Sequence, residues 1–85
     1  MKTNSIIRPL STEKSLRLME EENKLIFEIS LNSSKKDVKK ELEELYDVKV
    51  EKVNTMINPH AKKIAFVRFD EESPAVDLAS ELKLL

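Results

Sequence analysis

Apolar residues follow two rhythms along this chain, and each switch between them marks an element. Leu25, Phe27, Ile29 and Leu31 alternate strictly, with Ile26, Glu28 and Ser30 between them, so Lys24–Leu31 is predicted to be a strand. Lys62–Phe69 places Ala65, Val67 and Phe69 on one face and Ile64 and Phe66 on the other; strands apolar on both sides are usually central and covered twice. In Val48–Ile57 the parity slips, from Val48 and Val50 to Val53, Thr55 and Ile57, which calls for a bulge or a late start. A short strand around Ile6 and Ile7 closes at Pro9, which has no N–H to offer a ladder.

Helical spacing governs the rest. Thr12, Leu16 and Met19 form a stripe, with Ser11 and Thr12 as capping hydroxyls and the Glu20–Glu22 run with Asn23 as its end. Lys35–Tyr46 carries Val38, Leu42 and Leu45 on its apolar side, and Ser34 with Asp37 three residues on has the form of a capping box. Ser73-Pro74 opens a last helix, Ala75–Leu82, with Ala75, Leu78, Ala79 and Leu82 as its stripe. The order is β-α-β-α-β-β-α. A right-handed crossover through the second helix leaves room for the last strand to insert antiparallel between its two neighbours. The expectation is an α+β fold: a four-stranded antiparallel sheet in the order 1-2-4-3 on a split β-α-β, ferredoxin-like core, with helices on both faces.

Composition narrows the function. Eighty-five residues suggest one domain, 1–85, with a thin core and little room for an enclosed active site. Without cysteine there are no disulfides or thiolate metal sites, and one histidine with scattered carboxylates makes a poor zinc site, so no cofactor is expected. No apolar run approaches a membrane span and no signal-peptide core opens the chain, so a cytoplasmic protein without membrane insertion is expected. The net charge of −1 hides a segmental pattern. Residues 1–19 balance at +3, 20–34 at −3, 35–52 at zero, 53–69 at +3 and 70–85 at −4. If folding joins the two basic segments, a near-neutral protein acquires a local cationic patch.

Catalysis finds little support. A lone His60 in a turn meets none of the geometric demands of a triad, and without glycine there is no phosphate-cradling loop. No enzyme and no small-molecule substrate is expected. Two stretches carry other chemistry. In Arg8-Pro9-Leu10-Ser11-Thr12-Glu13-Lys14 a proline bend brings a guanidinium, two hydroxyls and an ammonium to a helix start, groups that grip phosphate oxygens, although the hydroxyls also serve as a plain N-cap. In Lys52–Lys63, Asn54 and Thr55 precede an acid-free hairpin, Asn58-Pro59-His60-Ala61-Lys62-Lys63. Such groups read RNA shape through phosphates and 2′-hydroxyls, and equally suit an aggregation-resistant edge strand.

Together these stretches resemble protein twenty-three of the large ribosomal subunit. The marks are Arg8-Pro9 with Ser11-Thr12-Glu13-Lys14, the strand Leu25–Ile29, the helix with Val38 and its Glu-rich end, and the run Val48–Thr55. The resemblance covers nearly the whole chain. It implies a structural, ribosome-bound protein that binds large-subunit ribosomal RNA at the rim of the peptide exit tunnel and adjoins other ribosomal proteins. Residues expected at RNA are Arg8, Ser11, Thr12, Lys14, Lys52, Asn54, Thr55, Asn58, His60, Lys62, Lys63 and Arg68, with Glu13 on a surface that docks nascent-chain factors. The bacterial hairpin is long, basic and glycine-containing. Here it has shrunk to Asn58–Ala61, which matches the archaeal form and points to the signal recognition particle and the translocation channel rather than trigger factor as partners. The competing expectation is a ferredoxin-like regulatory or dimerisation module, which requires a discrete apolar pocket and no RNA.

Overall fold

The computed structural model describes residues 5–84, so Lys2, one of the four cations counted in the first basic segment, lies outside the described residues. The elements are β1 (Ile6–Pro9), α1 (Glu13–Glu22), β2 (Lys24–Ile29), α2 (Lys35–Tyr46), β3 (Val50–Ile57), β4 (Lys63–Phe69) and α3 (Ala75–Glu81). The strands form one antiparallel sheet in the order β1-β2-β4-β3. β4 inserts between β2 and β3, as the split β-α-β reading requires.

The core is one cluster. Leu25, Phe27 and Ile29 of β2, Val50 and Val53 of β3, and Ala65, Val67 and Phe69 of β4 meet Met19 of α1, Val38 and Leu42 of α2, and Ala75, Leu78 and Ala79 of α3. All the strand residues in it share one face, so the helices form a single layer. This corrects the expectation of helices on both faces. Ile26 and Ile64 lie on the opposite face and are buried, yet they take no part in that cluster. The parity slip in β3 also resolves: the strand starts at Val50, and a register shift between Val50 and Lys52 returns Val53 to the core side.

Helix starts follow their capping chemistry. Ser34 and Asp37 form the reciprocal box, with Asp37 N–H donating to Ser34 Oγ at 3.2 Å and Ser34 N–H to Asp37 Oδ2 at 2.9 Å. The Asp37 carboxyl is held below its ordinary 3.8, chiefly by the Ser34 backbone N–H and then by its hydroxyl. Thr12 caps α1 with Ser15 as its reciprocal partner. At α3 the residue before Pro74 does not cap the helix. Ser73 Oγ accepts from Lys49 N–H instead, and Ala75 N–H donates to Asn23 Oδ1 at 2.6 Å. Asn23 itself sits in the left-handed region at φ 56° and ends α1. Its Nδ2 donates to the carbonyls of Phe69 and Asp70 at 3.0 and 3.1 Å, so one side chain ties α1, β4 and α3 together. Leu45, expected on the buried side of α2, is exposed; its place is taken by Glu41, whose buried carboxylate accepts the backbone N–H groups of Ser5 and Ile6 at 2.7 and 3.1 Å. One buried and one partly buried amide at the start of β1 are satisfied this way, so a charged residue replaces an apolar one without leaving an orphan.

Candidate nucleic-acid interface

Strand register builds a second surface on the side away from the helix layer. Lys24, Arg68 and Lys52 lie across β2, β4 and β3 as one row. Ile26, Phe66 and Asn54 form the next row, and Glu28, Ile64 and Met56 the third, extended onto β1 by Arg8 opposite Glu28. From the edge, Lys14 at the start of α1 reaches over the sheet, its ammonium 5.7 Å from the centre of the Phe66 ring.

The structure divides the residues expected from sequence. It brings Arg8 and Lys14 of the first basic segment to the same side as Lys52, Asn54 and Arg68 of the second. Asn58, His60 and Lys62 stand at the tip beyond the third row. There the Asn58 Oδ1 accepts the N–H groups of His60 and Lys62, both at 3.0 Å, so Asn58 builds the turn that presents the other two. Ala61 takes the left-handed conformation at φ 60°, where glycine would be the usual residue. Ser11 and Thr12 are exposed at the α1 start, with Thr12 Oγ1 occupied as a cap acceptor. Thr55 and Lys63 are not on this face. Period-two alternation sends them to the helix side, where Lys63 Nζ donates to the Ser33 carbonyl at 2.6 Å. Glu13 is exposed on the outer flank of α1, in a shallow depression with Leu16, Arg17, Glu20 and Glu21.

Six members of the face, Lys24, Ile26, Glu28, Met56, Ile64 and Phe66, are not among the residues expected there. The signal was present in the second apolar face of Lys62–Phe69, which was assigned to a covering helix. Several cations are partnered: Arg8 with Glu28 at 2.7 Å, Lys24 with Glu22 at 3.0 Å and Arg68 with Glu51 at 3.5 Å. Arg68 and Glu51 are both about half exposed, a setting in which an ion pair contributes roughly 0–1 kcal/mol, so a phosphate can displace the carboxylate at little cost. Among the described residues no ion pair holds Lys14 or Lys52, no group of three His, Asp or Glu side chains could hold a metal, and no helix is long and apolar enough to cross a membrane. The chemistry available is that of a cationic, partly apolar sheet surface with one aromatic ring at its centre, suited to a polyanion that also carries flat bases.

A family model described as Ribosomal protein L23 matches residues 4–79. A Pyrobaculum aerophilum protein named large ribosomal subunit protein uL23 is 48% identical over 80 residues, covering 94% of this chain and 99% of that relative. Proteins of the same name from Methanothermobacter thermautotrophicus and Methanococcus aeolicus are 44% and 43% identical, covering 91% and 87% of this chain and 90% and 86% of their own lengths. With a family match across most of its length and archaeal relatives of similar size, the chain belongs to the ribosomal protein L23 family.

Proposed function

We propose that the helix-free sheet face binds large-subunit ribosomal RNA beside the peptide exit tunnel, and that the outer flank of α1 around Glu13 receives factors that meet nascent chains. As a family member the chain is a structural constituent of the large subunit of the cytoplasmic ribosome and is not an enzyme. The observation that carries the RNA reading is the convergence of Arg8 and Lys14 with Lys52, Asn54 and Arg68 on one surface, although more than thirty residues separate the two groups in sequence. Cations, an amide and the exposed hairpin tip bearing His60 and Lys62 are groups that contact phosphates and 2′-hydroxyls. Ser11 and Thr12 extend the surface through their hydroxyls. Lys63 and Thr55 lie on the helix side and outside this surface; there Lys63 anchors the loop before α2. The family resemblance supports the exit-site position, contact with neighbouring ribosomal proteins, and the signal recognition particle and translocation channel as docking partners.

The test is incorporation into large subunits, followed by co-sedimentation in rising salt. Arg8→Glu and the double change Lys52→Glu, Arg68→Glu are expected to lower retention about tenfold or more at moderate salt, because reversed charges repel phosphates and fewer counterions are released. Glu13→Ala is expected to assemble normally and to weaken only factor docking. Normal retention of both charge-reversal variants would remove this face from the RNA interface.

A further inference from the structure

We propose that Phe66 is a stacking platform for an unpaired nucleobase of the ribosomal RNA, so that the sheet face engages a looped-out or single-stranded nucleotide and not only duplex backbone. This rests on the RNA-face reading above and names what that face holds. Phe66 is in the central strand β4, flanked in register by Ile26 on one side and Asn54 on the other. The ring is only partly buried and takes no part in the core cluster, so folding does not account for an aromatic at this position. Buried Ile26, its register partner on β2, and Ile64, two residues before it on β4, lie beside it on the same face.

The surroundings select a nucleotide. The Lys14 ammonium lies 5.7 Å from the ring centre, and Lys24, Arg68 and Lys52 make the adjoining row. A base sliding onto the ring displaces a solvent-exposed cation–π contact, which contributes less than a base–aromatic stack. The freed Lys14 ammonium is then within reach of that nucleotide's phosphate. Asn54, exposed beside the ring, offers an amide donor and acceptor to the base edge. A helical RNA buries its base faces and could not use the ring, so an unpaired base is the occupant that fits.

The experiment uses the full chain and a transcript of large-subunit ribosomal RNA from the same organism, titrated at several salt concentrations. Phe66→Leu keeps an apolar side chain of similar bulk and removes the π face. It is expected to bind roughly five- to a hundredfold more weakly, with the slope of log affinity against log salt falling by no more than the roughly 0.7–0.9 of the one Lys14–phosphate contact. Since the protein has no tryptophan, Phe66→Trp supplies a single reporter whose emission is expected to be quenched by the transcript and by a twelve-nucleotide single strand, but not by a duplex of equal length. Wild-type affinity in Phe66→Leu, or quenching by the duplex alone, overturns stacking while leaving the RNA face intact. A Phe66→Leu variant that binds RNA normally but fails to enter subunits would assign the ring to a protein neighbour, which also overturns it. Unaltered binding by the Lys52→Glu, Arg68→Glu variant would instead bring down the RNA-face reading.

Discussion

Asn23 shows how much one side chain can settle. It stops α1 in the left-handed conformation, donates to the Phe69 and Asp70 carbonyls, and accepts from the first amide of α3. Alanine would lose all of these bonds and would place a Cβ where the left-handed region penalises it. Asn23→Ala is therefore expected to cost about 2–3 kcal/mol in urea unfolding. Asn23→Gly keeps the backbone conformation and loses the amide, so its smaller loss separates the two contributions. A loss below about 0.5 kcal/mol for alanine would mean that solvent replaces the network. From sequence, Asn23 could be read as a helix end but not as the cap of a helix more than fifty residues away. The first role is written in local conformation, the second in tertiary geometry.

At the scale of elements, legibility tracks how local the deciding physics is. The bounds of α2 were predictable because Ser34 and Asp37 carry their own instruction within four residues. That box also makes a pH prediction. Asp37 is a better acid in the folded state than in the unfolded chain, because backbone and hydroxyl donors from Ser34 stabilise its anion. Its contribution to stability is present above the ordinary value of 3.8 and is lost as the pH falls through the lower folded value. Asp37→Asn should flatten stability against pH in that acid range and leave the curve near neutrality parallel to wild type; an unchanged acid limb would mean that another carboxylate governs it. The sheet order was also legible, since a crossover followed by a hairpin leaves one sensible insertion. The sidedness of the helices was not. Ile26, Ile64 and Phe66 look from sequence like a second core face, and only the register shows them sharing a face with Lys52, Asn54 and Arg68. Thr55 and Lys63 teach the complementary lesson: residues adjacent in a polar stretch point to opposite sides once the stretch is a strand.

Over the whole molecule, a net charge of −1 coexists with a polarised distribution. Within the segment that sums to −4, α3 belongs to the helix layer, whereas Arg8, Lys14, Lys24, Lys52 and Arg68 occupy the opposite sheet face or reach over it. Such an arrangement turns a polyanion toward the sheet and away from α3, so the proposed RNA face does not require a basic total. The consequence is measurable as counterion release. Lys52→Ala with Arg68→Ala should reduce the slope of log affinity against log salt by about 1–2, since each phosphate contact contributes roughly 0.7–0.9. Neutralising α3 through Asp77→Asn and Glu81→Gln should strengthen binding slightly and leave that slope as it was, because no cation at the interface changes. If the two double variants altered the slope by equal amounts, binding would respond to total charge alone. The separation of an acidic α3 from a cationic sheet would then have no part in the proposed RNA binding.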